Sequence, residues 1–229
     1  MTNKEWSEKI LKSLVPSFRH RWEVYEDYLR ENLNNTVKWL YLGCGNNADV
    51  EEKRDMVRFA CGIDIYKNEH LFAKPFVISD ITNLPIKANS VDVISLRFVV
   101  EHISDPQKLF GELLHKILRP NGIVVIITTN IWSPVIFLPK ILPYSLRKKL
   151  MEKLFNVEDD EIFLTYHRFN SFYKVKLKAN KFNLKDLEFI QDLNTNNRMI
   201  FSVFLLWHII TKIKFLKIFR SNFIAVYRK

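Results

Sequence analysis

Glycine is scarce in this chain, with five in 229 residues. Two of the five stand one residue apart, at 43 and 45. A sequence so sparing with its most permissive residue spends it where the backbone must turn tightly or approach something closely. Cysteine is scarcer still. Cys44 and Cys61 are the only two, both within segments that read as buried, and neither has metal-ligand spacing to another Cys or His, so no metal site is expected. With no secretory apolar segment at the start, the expected compartment is reducing and cytoplasmic. Met199–Thr211 is uncharged over 13 residues, too short for a bilayer-crossing helix, which needs about 20. Acid is missing too: no Asp or Glu follows Asp192, while seven Lys and Arg do, within a net charge of +10. That imbalance suits a solvated basic face, an anionic membrane surface or a nucleic acid. There is no appended RNA-binding domain and no Asn-Pro-Pro-Tyr-like motif, so nucleic acid is not the expected partner.

What is present is ordered alternation. Trp6, Ile10, Leu14, Phe18, Trp22, Tyr25 and Leu29 recur at helical spacing, with Pro16 dividing two helices. From Val37 short apolar runs alternate with amphipathic stretches: "VKWLYL", "FACGIDIY", "KPFVISD", "VDVISLRFV" and "GIVVIITTN". Asp105 and Pro106 open a helix that "RPNG" ends. Val- and Ile-rich strands alternating with helices predict an α/β fold, doubly wound around a mostly parallel sheet. Near the end, "LKDLEFIQD" and "NFIAVYRK" read as a closing strand pair, and Ser171–Ala179 as a helix before it.

The stretch "KWLYLGCGNNADV" poses the functional question. A strand running into Gly43-Cys44-Gly45 lets the backbone approach a ligand: Gly43 allows the tight turn, and Gly45 leaves room where a side chain would collide. With Ala48 the loop also fits a dinucleotide fingerprint. Asp64 ends the next strand, 21 residues beyond Gly43, where a carboxylate can accept from ribose hydroxyls. This suits an adenosyl ligand and NAD equally.

The blocks that follow, "SDITNLP", "VVEHI" and "LRPNG", come in an order and spacing that resemble the class I S-adenosylmethionine-dependent methyltransferases. The likeness runs from about Lys38 to Thr129 and points to those acting on small molecules, lipids and quinones. It implies a Rossmann-like, seven-stranded sheet with an N-terminal helical cap and two apolar insertions. One domain, 1–229, would comprise a cap (1–36), a cofactor core (37–130) and an insertion forming an acceptor lid (131–168). A closing helix and strands (169–229) would carry the second insertion at about 195–220.

The resemblance also implies roles. Gly43, Cys44 and Gly45 would line the methionine moiety of S-adenosylmethionine, Asp64 with Ile65 the ribose, Asp80 with Ile81 the adenine, and Arg97 and Phe98 the sulfonium end. Asp80 alternatively reads as a helix cap or Asx turn. S-Adenosylhomocysteine would be the product. Two departures stand out: Tyr41 replaces an acidic residue that holds the methionine amino group, and Asn47 replaces a third glycine. Methyl transfer needs positioning and, for an O–H or N–H acceptor, a base. His102 and His167 are the candidates, with Tyr166 and Arg168 as acceptor contacts and Arg168 suited to a phosphate or carboxylate. An NAD-dependent oxidoreductase is the alternative, although no Tyr-x-x-x-Lys pair supports it, and a non-catalytic membrane-associated module is another.

The two apolar insertions, "IWSPVIFLPKILPYSLRKKL" and "MIFSVFLLWHIITKIKFLKIFR", both run into basic residues. They suggest an acceptor that is hydrophobic or sits at a membrane, and a small or lipid-linked molecule is expected rather than a macromolecule. Projected as one helix, Lys212, Lys214, Lys217 and Arg220 spread around the axis, which argues against a clean in-plane amphipathic helix. The plainer expectation for that stretch is a core helix followed by a basic surface strand.

Overall fold

The computed structural model describes residues 1–72, 74–141, 165–171, 173–175 and 181–229. Seven strands form one sheet in the order β3-β2-β1-β4-β5-β7-β6. They are β1 (Lys38–Leu42), β2 (Phe59–Asp64), β3 (Phe76–Ile78), β4 (Val91–Arg97), β5 (Leu118–Thr129), β6 (Asn183–Ile190) and β7 (Asn222–Arg228). The pairs from β3 through β5 are all parallel. β7 runs against β5, since Asn130 N–H donates to Ser221 O and Lys229 N–H to Gly122 O, so numbering rises along one strand as it falls along the other. The central strands carry almost unbroken apolar runs, because parallel strands are buried on both faces. Ile123 to Ile127 are all buried, as are Trp39 to Leu42. The expected closing strands are adjacent in the sheet as β7 and β6.

The chain divides into two compact units. One comprises residues 25–129, 165–188 and 224–229 and holds β1 to β5. It includes α3 (Ala48–Lys53) and a helix that starts as α4 (Pro106–Lys108), passes through a π-helical stretch (Leu109–Leu114) and ends as α5 (His115–Ile117). Asp105 caps it by accepting from Lys108 N–H at 3.1 Å, and Pro106 occupies the first turn, where its missing N–H costs nothing.

The other unit comprises residues 1–24, 130–164 and 189–223. Within it, α1 (Asn3–Leu14) starts with a reciprocal capping box: Thr2 Oγ1 accepts from Glu5 N–H, and Glu5 Oε2 accepts from Thr2 N–H at 2.7 Å. Its buried side is Leu11, with Trp6 and Ile10 packed alongside. Leu14, read from spacing as part of the same face, is exposed. The helix ends before Pro16, as expected, and α2 (Arg21–Arg30) follows. α6 (Pro134–Ile141) begins the first apolar insertion; its basic cluster at Arg147, Lys148 and Lys149 lies outside the described residues. Of the helix expected at Ser171–Ala179, residues 171 and 173–175 are described: 173–175 are helical and Ser171 is a bend before them.

The second insertion corrects two expectations. α7 (Arg198–Ile210) is capped by the Asn197 side chain, which accepts from Met199 and Ile200 N–H, and it stops at Thr211. A separate 3-10 segment, Lys214–Phe219, takes the place of the expected basic strand. The lysines therefore do not share one helix axis with Met199–Ile210, and projecting them on one axis misplaces them. α7 itself has two apolar faces. One packs Phe201 and Leu205 against Leu11, Val15 and Leu193; the other is open to solvent.

Candidate functional site

The loop after β1 is built on alternating left-handed residues: Gly43 (φ 68°), Gly45 (φ 56°) and Asn47 (φ 62°). Asn47 thus takes up the conformation that a third glycine would have supplied, which asparagine tolerates best among side-chain-bearing residues. The two glycines are required for different reasons. A Cβ on Gly43 would lie 2.2 Å from Val99 Cγ2, so its space is filled by the segment after β4. A Cβ on Gly45 would meet nothing within 4 Å. Gly45 is thus the point where bare backbone faces open space.

Asp64 sits beside it. Its Oδ2 accepts from Gly45 N–H at 2.8 Å, and its Oδ1 from Tyr66 N–H at 3.2 Å. Each carboxylate oxygen has two lone pairs, so both retain capacity for hydroxyl donors. Ile65, next in sequence, is exposed. Gly43 N–H and Cys44 N–H both donate to Ile63 O, which ties the loop to the end of β2. Cys44 is buried, and burial pushes its thiol up to about 12, so it stays protonated and serves packing.

Asp80 is exposed after β3, and its Oδ1 accepts from both Thr82 N–H and Thr82 Oγ1. The Asx turn foreseen as its plainer role is therefore formed, and Ile81 beside it is buried. β1 lies between β2 and β4, so chain leaving β1 and chain leaving β4 depart at the switch point of the sheet, where open α/β folds bind ligands.

At the end of β4, Phe98 holds a left-handed φ of 54°, costly for a side chain of this size. Arg97 turns inward. Its Nη1 pairs with Asp49 Oδ2 at 2.9 Å, and its guanidinium lies 5.6 Å from the Tyr41 ring. Tyr41 is buried and stacks on Trp39, and the Asp49 charge lies near its hydroxyl. Burial holds its hydroxyl well above the usual tyrosine range, so it remains neutral. Asp49 was not singled out from the sequence. Nothing local marks it; only the turn of α3 sets its carboxylate against Tyr41 and Arg97. Beneath it the fully buried Lys53 places Nζ 2.9 Å from Glu26 and 4.0 Å from Asp49.

The two groups of acceptor-side candidates come together. His102 closes a 3-10 turn, Val100–His102, after β4. Glu101 O accepts from Tyr166 N–H at 2.8 Å and His167 N–H at 3.0 Å, and Ser104 O accepts from Arg168 Nη1 at 2.8 Å. The Arg168 guanidinium lies 5.8 Å from the Tyr166 ring. Behind them Glu101 Oε2 accepts from Thr128 Oγ1 at 2.7 Å, and Asn170 Nδ2 donates to Thr128 and Thr129. Burial pushes the Glu101 carboxyl up, opposed by the Thr128 hydrogen bond. Glu101 thus acts as the strut that holds 166–168 against the loop carrying His102.

Residues 40–126 match a family model described as a methyltransferase domain. Over those residues the chain is similar to a methyltransferase domain. Its sheet is that of the class I S-adenosylmethionine-dependent methyltransferases, and the matched residues run from inside β1 to inside β5. No curated protein sequence matches the chain significantly. Among solved structures it resembles an S-adenosylmethionine-dependent methyltransferase from Mesorhizobium loti (TM-score 0.61, 13% identity, covering 91% of this chain and 97% of that one). It also resembles a SAM-dependent methyltransferase from Archaeoglobus fulgidus (0.56, 19%, covering 93% and 96%). A third is the Haemonchus contortus phosphoethanolamine N-methyltransferase 2 in complex with S-adenosyl-L-methionine (0.56, 14%, covering 90% and 52%). At such identities these likenesses speak for the fold, and the reaction must be argued from the site.

Proposed function

We propose that the protein binds S-adenosylmethionine at the loop after β1 and methylates a small or lipid-linked acceptor. The observation that carries this reading is Gly45: open backbone directly hydrogen-bonded to the Asp64 carboxylate, at the switch point of a methyltransferase sheet. When bound, S-adenosylmethionine supplies a sulfonium methyl that an acceptor atom displaces in line. The chain holds and orients. Gly43, Cys44 and Gly45 line the methionine moiety, Asp64 and Ile65 take the ribose, and Asp80 and Ile81 border the adenine. Asp49 supplies the carboxylate that Tyr41 lacks, for the methionine ammonium, and Arg97 beside Phe98 fixes that carboxylate in place. His102 and His167 are the groups able to take an acceptor proton. Tyr166 and Arg168 meet the acceptor, with the guanidinium suited to a phosphate or carboxylate.

An NAD reading fits less well, because the dinucleotide sheet is parallel throughout in the order 3-2-1-4-5-6 and here an antiparallel β7 enters between β5 and β6. The test is calorimetric titration with S-adenosylmethionine, S-adenosylhomocysteine and NAD. Micromolar binding of the first two alone is expected, and NAD binding alone would overturn the assignment. Loss of affinity in Asp49→Asn with the fold intact would tie the ammonium to Asp49; unchanged affinity would remove that role.

A further inference from the structure

The exposed face of α7 is apolar along its length. Met199, Val203, Leu206 and Ile210 follow at helical spacing and are 67%, 59%, 59% and 39% exposed, and Ile213 and Phe215 continue the patch at 51% and 70%. Leaving such a stripe in water is uncommon for a protein surface without a partner. The start of the first insertion joins the same region: Trp132 packs its ring against Phe219, whose carbonyl accepts from Trp207 Nε1 at 3.2 Å. Two apolar insertions far apart in sequence thus meet around one 3-10 segment.

Charge identifies the occupant. Lys212, Lys214 and Lys217 border the stripe, are exposed, and have no carboxylate partner among the described residues. No acid follows Asp192 anywhere in the chain. A second copy of this chain would bring the same cations to the same face, which repel. With 13 residues α7 cannot cross a bilayer, and no described helix is long and apolar enough to do so. A helix with one apolar side held by its own protein and another turned outward beside lysines fits the plane of an interface, where the lysine stems bury and their ammonium groups reach lipid phosphates.

We propose that this face docks the protein onto an anionic lipid surface. The inference goes beyond methyl transfer and stands whether or not the cofactor reading holds. It is tested by flotation of the full chain with phosphatidylcholine vesicles, with and without phosphatidylserine. Wild type is expected to float with the phosphatidylserine vesicles. V203E/L206E and K212E/K214E/K217E should each weaken that binding by roughly tenfold or more, the first by putting charge on the apolar face and the second by removing the attraction to lipid phosphates. Both variants change exposed side chains, and circular dichroism checks that they fold; the milder F215S serves if either does not. Absence of wild-type flotation, or equal flotation by V203E/L206E, would overturn the proposal. So would a concentration-dependent dimer in sedimentation that V203E/L206E abolishes, which would assign the face to a second copy.

Discussion

The loop after β1 and the outer face of α7 solve opposite problems. Around the loop most groups are held by neighbours: Gly43 is filled by Val99, Asp64 ties down Gly45, and Tyr41, Asp49, Arg97, Lys53 and Glu26 interlock. Open space lies at Gly45, beside the spare capacity of Asp64. On α7 the inner face is packed while Met199, Val203, Leu206 and Ile210 on the outer face are exposed, with Ile213 and Phe215 beyond its end and three lysines beside them. On the proposed readings the first arrangement selects a ligand by shape and fixed hydrogen bonds and the second a surface by composition, so single changes should matter far more in the first than in the second.

Substitutions sharpen that contrast. The largest effect is expected from Lys53→Ala, which empties the space of a fully buried side chain and takes the closest cation from Glu26 while Asp49 keeps Arg97, and it should cost about 3–5 kcal/mol in urea unfolding. Gly43→Ala should follow at about 3 kcal/mol, from the clash with Val99 and the left-handed backbone, and Val99→Ala in the same chain should recover part of it.

The inner face of α7 should show its burial through pH. His208 sits edge-on to Phe18 and is lowered to about 4, mainly by burial and further by the Arg220 and Lys212 charges. The folded state therefore binds this proton less readily than the unfolded chain, where histidine titrates near 6.5. Its effect is absent above that pH and grows as the pH falls to about 4. Stability should decline across that window by up to about 3 kcal/mol, and His208→Gln should flatten the decline.

Asp64→Ala should leave unfolding nearly unchanged but weaken S-adenosylmethionine by tenfold or more in calorimetry, about 1.4 kcal/mol; unchanged affinity would displace the ribose site. Smallest of all, Leu206→Ser on the outer face should shift stability by less than about 0.5 kcal/mol. A larger loss would mean that the face is packed and would break the comparison.

Much of the core was legible from residue pattern. Val- and Ile-rich runs bounded by turn signals marked the central strands, because parallel strands buried on both faces cannot hide their composition, whereas β3 and β6 are largely exposed and β7 is antiparallel, and these came from shorter or mixed runs. Asp105-Pro106 marked a helix start, and the pattern that singled out Gly45 and Asp64 picked residues that are hydrogen-bonded to each other in the fold. Less was legible where pattern is ambiguous. Met199–Ile210 reads as almost uniformly apolar, and such a helix does not reveal which face its neighbours will cover. Leu14 followed the helical rhythm yet faces water, since α1 turns Leu11 inward.

Asp49 marks the boundary. The alternation of the chain determined the sheet, and the glycine spacing determined where backbone could be exposed, because both rest on local sterics and on the period of burial. Which carboxylate stands against Tyr41, that Glu101 pins 166–168 beside His102, and that α7 keeps an apolar face in the open were decided only by tertiary packing. Each depends on segments distant in sequence meeting in space, and no local pattern encodes such a meeting.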